Sequence, residues 1–193
     1  MLKRKTTLLL ILGIGLIAIS LCFILAGLIR SHVGNRNCQN VVARMEEILP
    51  ERAPGTPGLY PDTGMPTLEI GGVDYVAMLE IPSAGVKLPI ANDWNASKLF
   101  SSPALFSGSA YNHALIIGGA DQSKQFGFCS QIDQGALVTV TDMTGAQFTY
   151  RVSRVDRGKH ADVQWLSGAD LTLFCRDTFS MNYIAVRCVY AYG

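Results

Sequence analysis

An uncharged segment near the N-terminus places the strongest constraint on how this chain can fold. Lys3, Arg4 and Lys5 precede Thr6–Ile29, which contains no charged residue, and Arg30 follows it directly. At about 1.5 Å per residue, a helix over this segment is about 36 Å long, whereas the hydrocarbon core of a bilayer is about 30 Å thick. A cleaved signal peptide has a shorter apolar region that ends in a small-x-small cleavage site. We therefore predict an uncleaved transmembrane anchor over residues 6–29.

The basic residues before this segment predict its orientation in the membrane. Positive charge is retained on the cytoplasmic side, so we expect residues 1–5 in the cytoplasm and the chain after Arg30 outside the cell. Roughly 160 residues remain outside, which is enough for one domain with its own core. A net charge of +1 gives no basic footprint for nucleic acid.

The cysteines define the metal and redox chemistry that is available. The chain has five, without a CxxC motif or a Cys/His pair at metal-ligand spacing, so we expect no metal site. No nucleotide loop or haem motif occurs either, and we expect no cofactor. Cys22 lies in the predicted anchor. Cys38, Cys129, Cys175 and Cys188 lie outside, where disulfides are allowed, and their spacing leaves the pairing and the oligomeric state open.

The segment after the anchor is predicted to be a helix followed by a connector. Apolar residues recur at helical spacing over 35–49, and Pro50 ends the pattern, which predicts a juxtamembrane helix within 30–50. Residues 51–72 are rich in proline and glycine and predict an extended connector. The domain proper then occupies residues 73–193.

Residues 73–193 have the pattern of a mainly β domain. Short apolar segments alternate with polar residues and end at Gly or Pro, and one of them is a hairpin with its turn at 143–145. A short helix is predicted over 92–100. Six or more short strands with one or two small helices predict a closed antiparallel β-barrel. The predicted strand segments are 74–81, 86–90, 112–119, 136–152, 170–175 and 182–192.

A cysteine stands where one of these strands ends. Cys175 closes an alternating segment and is followed by Arg176 and Asp177. A structural cysteine is normally buried among apolar neighbours, whereas a reactive cysteine lies in a partly open, electropositive place. The sequence around Cys175 is consistent with either.

Four segments together resemble the sortase family, of the class B kind. "YVAMLEIPSAGVKLPI" (75–90) resembles its opening strands, and "LFSSPALFSGSAYNHALIIGG" (99–119) resembles the strand that leads to the active-site histidine. "QFGFCSQIDQGALVTVTDMTGAQFTYRV" (125–152) resembles its Phe-Gly segment and hairpin. "LTLFC" (171–175) stands where the family has a Thr-Leu-x-Thr-Cys strand. The resemblance implies a sortase-like barrel.

The resemblance also implies an activity. Sortases are extracytoplasmic cysteine transpeptidases of Gram-positive bacteria that cleave a sorting-signal peptide and join it to an amine acceptor of the cell wall. A cysteine, a histidine and an arginine carry the reaction. A free thiol with a pKa near 8.5 is only a few per cent thiolate at neutral pH, so a neighbouring cation is needed. The histidine protonates the leaving amine and the arginine stabilises the oxyanion.

When the three catalytic positions of the family are carried over to this chain, only one of them holds the expected residue. Cys175 falls on the nucleophile, Gly119 on the histidine position and Asn182 on the arginine position. These positions, with Arg176 beside the cysteine, are the predicted groove residues.

Two other residues are candidates for the missing roles. Arg187 lies five residues after Asn182 and is a candidate oxyanion residue, provided that a bulge turns it toward the groove. His160 lies between the hairpin and the cysteine strand and is a candidate substitute acid. The enzymatic activity therefore stays open at this stage.

Two functions are consistent with this sequence. One is a membrane-anchored transpeptidase that acts on a sorting-signal peptide through Cys175. The other is a catalytically degenerate sortase-like module, a pseudoenzyme, that binds a peptide or a partner protein at the cell surface. The geometry around Cys175 distinguishes them.

Overall fold

The computed structural model describes residues 2–50, 53–57 and 64–191, and no side chain is described at 2–12, 28, 30–33 and 35. The first element is one continuous helix, α1, over Leu2–Ile48. It contains the predicted anchor and all but the last residue of the helical pattern of residues 35–49. Measured over the described residues only, none of the helices combines the length and the apolar character that a membrane crossing needs.

The C-terminal turns of α1 pack against the β domain. Cys38, Val42 and Met45 are buried and recur at helical spacing on one face. The Cys38 thiol donates a hydrogen bond to the Ser101 carbonyl at 2.9 Å, and burial raises the pKa of Cys38 to about 11. Apolar burial and this hydrogen bond attach the helix to the domain.

Ten strands and one further α-helix, which is short, follow α1. Three single turns of 3₁₀ helix lie at Pro82–Ala84, Ala110–Asn112 and Phe126–Ser130. The predicted segment 51–72 contributes the first two strands, and its residues 51–52 and 58–63 lie outside the described residues. The strands are β1 (Ala53–Pro54), β2 (Leu68–Ile70), β3 (Val73–Ile81), β4 (Val86–Ala91), β5 (Ala104–Ser107), β6 (Leu115–Ala120), β7 (Leu137–Asp142), β8 (Ala146–Gly158), β9 (Leu171–Arg176) and β10 (Tyr183–Tyr190), with α2 at Val163–Leu166 between β8 and β9.

Eight of these strands close into a barrel. The order β3-β4-β5-β6-β9-β10-β8 is completed by β7, which pairs with both β8 and β3. The predicted closed barrel is confirmed, but the prediction that it is antiparallel throughout is wrong. The pairs β4–β5 and β6–β9 are parallel. Each parallel pair is joined by a crossover connection, and the connection from β6 to β9 includes β7, β8 and α2.

The segment 92–100 does not form the helix that its sequence predicts. It is a succession of bends and turns. The Asn95 side-chain oxygen accepts hydrogen bonds from the Ser97 amide at 3.0 Å and from the Ser97 hydroxyl at 2.6 Å. Such a local side-chain turn competes with the helical backbone pattern.

A buried carboxylate organises the β7–β8 hairpin. Asp142 is fully buried, and its Oδ1 accepts hydrogen bonds from the Thr144 amide at 2.8 Å and the Ala146 amide at 2.9 Å. Its Oδ2 accepts a hydrogen bond from the Tyr111 hydroxyl at 2.6 Å. The predicted turn at 143–145 is confirmed, and Gly145 adopts the left-handed conformation there (φ 85°).

Removing this carboxylate is expected to weaken the whole barrel. Asp142→Ala leaves two backbone amides and two hydroxyls without their acceptor, so we expect the free energy of unfolding to fall by about 3 kcal/mol. Tyr111→Phe removes one hydrogen bond and is expected to cost only about 1 kcal/mol. Urea unfolding of the full-length chain in detergent micelles measures both. Equal losses for the two variants would contradict this role of Asp142.

Candidate functional site

Cys175 lies in the interior of the barrel. It is the fifth residue of β9 and is 2% exposed, and it belongs to the main core cluster together with Leu171 and Leu173. Its thiol donates a hydrogen bond to the Phe126 carbonyl at 3.6 Å. A nucleophile has to reach a substrate, and this thiol faces the core.

Gly119 is the cross-strand neighbour of Cys175, as the sequence predicts. The two residues are register partners in the parallel β6–β9 pair. A Cβ atom added at Gly119 would lie 2.5 Å from the Phe126 ring, so position 119 faces the interior too. The packing of the Phe126 ring leaves no room for an imidazole at position 119, next to the thiol of Cys175.

The opposite face of β9 carries an aromatic cluster. Phe174 lies with Trp94 and Phe106 outside the main core, at ring-centroid distances of 5.6 Å and 5.3 Å from Phe174. A Cβ atom added at Gly118 would lie 2.4 Å from the Trp94 ring. The outer surface of β6 and β9 is therefore covered by side chains of the protein itself.

Arg176 shares this outer face, since alternate residues of a strand point the same way. Its register partners are Ala120 on β6 and Tyr183 on β10. We call these three residues the strand-end row. Arg176 is exposed, its Nε donates a hydrogen bond to the Met181 carbonyl at 3.3 Å, and its guanidinium lies 5.9 Å from the centre of the Tyr183 ring.

The strand-end row also fits the sortase motifs better than Cys175 and Gly119 do. Thr172-Leu173 matches the first two residues of Thr-Leu-x-Thr-Cys, and the fifth position is then Arg176. With the same shift of one residue, the histidine position falls on Ala120 rather than on Gly119. The sequence interpretation missed this register because it aligned the only cysteine of the strand rather than the Thr-Leu pair.

Arg187 does not reach Cys175. Its Nε donates to Asp156 Oδ2 at 3.1 Å, and its other nitrogens donate to the carbonyls of Trp165, Leu166 and Ser167. A register shift follows Arg187 in the β8–β10 pair, but Val186 and Cys188 on either side both face the core. Arg187 therefore points outward and holds α2 against the sheet, and its interpretation as an oxyanion residue is wrong.

The two remaining candidates are loop residues. His160 is exposed between β8 and α2. Asn182 directly precedes β10, and its carbonyl accepts a hydrogen bond from the Asp177 amide at 2.8 Å. Asn182 shapes the β9–β10 loop and neighbours the strand-end row without belonging to it.

The carboxylates near the row bind the loop and leave Arg176 without an acidic partner. Asp121 accepts a hydrogen bond from the Thr178 amide at 2.8 Å. The backbone amides of Ser180 and Phe179 lower the pKa of Asp177 by hydrogen bonding its carboxylate. Within the described residues, Arg176 forms no ion pair, and no group of three or more metal-ligating side chains occurs. The row thus presents a cation to solvent, beside a half-buried phenol ring.

Comparison with known proteins identifies the fold. No protein-family model and no curated protein matches this chain. Among solved structures, a lid mutant of sortase A from Corynebacterium diphtheriae superposes with a TM-score of 0.54 at 17% identity, covering 62% of this chain and 71% of that one.

Two further sortases superpose equally well. Sortase C1 from Streptococcus agalactiae gives a TM-score of 0.53 at 20% identity, over 61% of this chain and 67% of that one. A sortase D5 transpeptidase from Clostridium perfringens gives 0.54 at 17% identity, over 62% and 80%. This chain therefore has the sortase fold. These three are of classes A, C and D, and the class B assignment stays a prediction.

The inward orientation of position 119 predicts a large stability effect. Gly119→Ala places a methyl group against the Phe126 ring, so we expect the free energy of unfolding to fall by about 2 kcal/mol. Gly64→Ala is the matched control, because a Cβ atom there meets nothing within 4 Å and its expected change is below about 0.5 kcal/mol. Chemical denaturation of both variants tests this. A neutral Gly119→Ala would show that position 119 has free space.

Proposed function

We propose that this chain is a membrane-anchored, catalytically inactive protein of the sortase fold that binds a peptide or a partner protein at the bacterial cell surface. One observation carries the proposal. The strand-end row of Ala120, Arg176 and Tyr183 lies on the outer face of the sheet with Arg176 exposed, while the thiol of Cys175 faces the barrel interior.

The chemistry of transpeptidation explains why this arrangement argues against activity. A thiolate has to approach the peptide carbonyl, and a positioned acid has to protonate the leaving amine. The Cys175 thiol is directed at the Phe126 carbonyl, and the Arg187 guanidinium is bound to Asp156 and the carbonyls around α2. The described structure brings neither an imidazole nor a guanidinium to the thiol.

No other cysteine takes over the role of nucleophile. Cys38, Cys129 and Cys188 are buried, like Cys175. The one exposed cysteine, Cys22, lies within the proposed membrane anchor. A sortase-type acyl-enzyme therefore has no accessible thiol on the β domain on which to form.

The surface around Arg176 favours binding. The β9–β10 loop beside it exposes Phe179, at 97% of its surface, and Met181. An arginine next to exposed aromatic and methionine side chains is the composition that protein interfaces favour. We propose this surface as the contact with a peptide or partner protein. On this account, the sorting-signal peptide and the cell-wall amine acceptor of the sortases become ligand candidates rather than substrates.

The N-terminal segment is the basis for the location that we propose for this protein, in the cell membrane. Thr6–Ile29 carries no charge, and the described large apolar side chains of α1 in this segment, including Ile17 and Phe23, are exposed. We propose that residues 1–5 lie in the cytoplasm, residues 6–29 span the membrane once, and residues 31–193 lie outside, with the barrel domain starting at residue 73.

An activity assay tests the proposal directly. The full-length protein in detergent micelles is incubated with a sorting-signal peptide that contains a Thr–Gly bond and with an amine acceptor. We expect no cleavage above the buffer background, because no thiol reaches the peptide. Mass spectrometry of peptide and protein follows both cleavage and acylation. Cleavage that is lost in Cys175→Ala would overturn the proposal.

The location has its own test. Protease added to intact cells that produce the full-length chain is expected to degrade the domain after residue 30, because the positively charged end stays inside. An antibody tag at each end reports the outcome, and a cytoplasmic protein serves as the control for cell integrity. Protection of the C-terminal tag would contradict the proposed orientation.

A further inference from the structure

We propose that Cys129 and Cys175 form a disulfide bond inside the barrel, which ties the 3₁₀ turn Phe126–Ser130 to β9. Both are free thiols in this structure. The pairing gives Cys175 a structural role, and it goes beyond the proposed binding function.

The two thiols lie in the same part of the core. Cys129 is fully buried and Cys175 is 2% exposed, and both belong to the main core cluster. The Cys175 Sγ lies 3.6 Å from the carbonyl oxygen of Phe126. Residues three apart in a 3₁₀ helix lie directly above one another, so Cys129 stands one turn from that carbonyl. The 3₁₀ turn that carries Cys129 packs directly against β9.

The register of β9 and β10 excludes a Cys175–Cys188 bond. Cys175 pairs with Ile184, whereas Cys188 pairs with Leu171. Four residues of strand separate the two cysteines by about 13 Å, while a disulfide needs Cα atoms within about 7 Å. The Cys38 thiol is instead directed at the Ser101 carbonyl, to which it donates a hydrogen bond. Cys129–Cys188 is the competing pair, and the contact of the Cys175 thiol with the Phe126 carbonyl, one 3₁₀ turn before Cys129, favours Cys175.

The bond forms by exchange with a small disulfide such as oxidised glutathione. One cysteine thiolate attacks the oxidant and releases one reduced thiol, which takes up the proton. The second cysteine then attacks the mixed disulfide and releases the other reduced thiol, so two protein thiols are oxidised and one small disulfide is reduced to two thiols. Burial raises the pKa of Cys129 well above its ordinary value. Exchange is therefore expected while the 3₁₀ turn is still open during folding.

The bond would close a long loop of the barrel. The chain between the two cysteines contains β7, β8 and α2. Cross-linking a loop of this length restricts the unfolded chain strongly, and reduction is expected to lower the melting temperature by about 10 °C. A cell exterior is the compartment in which such bonds persist. The experiment supplies its own oxidant, so its result does not depend on the proposed location.

Peptide mapping tests the pair. The full-length chain is refolded in micelles with oxidised and reduced glutathione, free thiols are alkylated after denaturation, and proteolytic fragments are identified by mass. We expect one linked fragment pair containing Cys129 and Cys175, with alkylated Cys38 and Cys188. Cys188→Ser, the matched control, should retain the link and the roughly 10 °C loss on reduction. Cys129→Ser should lose both and leave Cys175 alkylated.

Two results would overturn the pairing. One is alkylation of both Cys129 and Cys175 after oxidative refolding, and the other is a Cys129–Cys188 link. Peptide mapping and the activity assay can fail separately. If Cys175 stays a free thiol and no peptide is cleaved, only the proposed disulfide is contradicted. Peptide cleavage through Cys175 contradicts the proposed function itself.

Discussion

The parallel pairing of β6 with β9 decides which chemistry this barrel can present to a partner. Its register joins Gly119 to Cys175 and Ala120 to Arg176. Successive residues of a strand point to opposite faces, so a shift of one residue exchanges the inside for the outside. The thiol faces the core in this register, and the arginine faces the solvent.

Aromatic packing fixes that register from both sides. The Trp94 ring covers Gly118 from outside, and the Phe126 ring covers Gly119 from inside. Both rings lie so close to the backbone that only glycine fits beneath them without a shift. The strand that would carry the catalytic histidine of a sortase is thus enclosed between two rings. The last residue of this strand, Ala120, lies on the same outer face as Gly118 and is the register partner of Arg176.

The sequence predicted the barrel well because alternation and turn residues are local signals. The segments at 74–81, 86–90 and 170–175 correspond to β3, β4 and β9 within one or two residues. The failures have physical causes. Residues 92–100 carry a helical composition, but the Asn95 side chain stabilises a turn instead. The contacts of Arg187 with α2 join residues about 20 positions apart, which no local pattern encodes. The environment of Cys175 stayed open in the sequence, because the family alignment placed this cysteine on the nucleophile while the alternation with Leu171 and Leu173 is equally that of a core residue.

The central claim is that position 176 faces the solvent and position 175 does not. Alkylation by iodoacetamide of reduced, folded protein measures this most directly. The account predicts that R176C in a Cys175→Ala background reacts at least roughly 100-fold faster than Cys175 of the unchanged chain, since a buried thiol reacts only after local opening. Peptide mass locates the label, and denatured samples give the intrinsic rates of both thiols. Faster labelling of Cys175 in the unchanged chain would contradict the account.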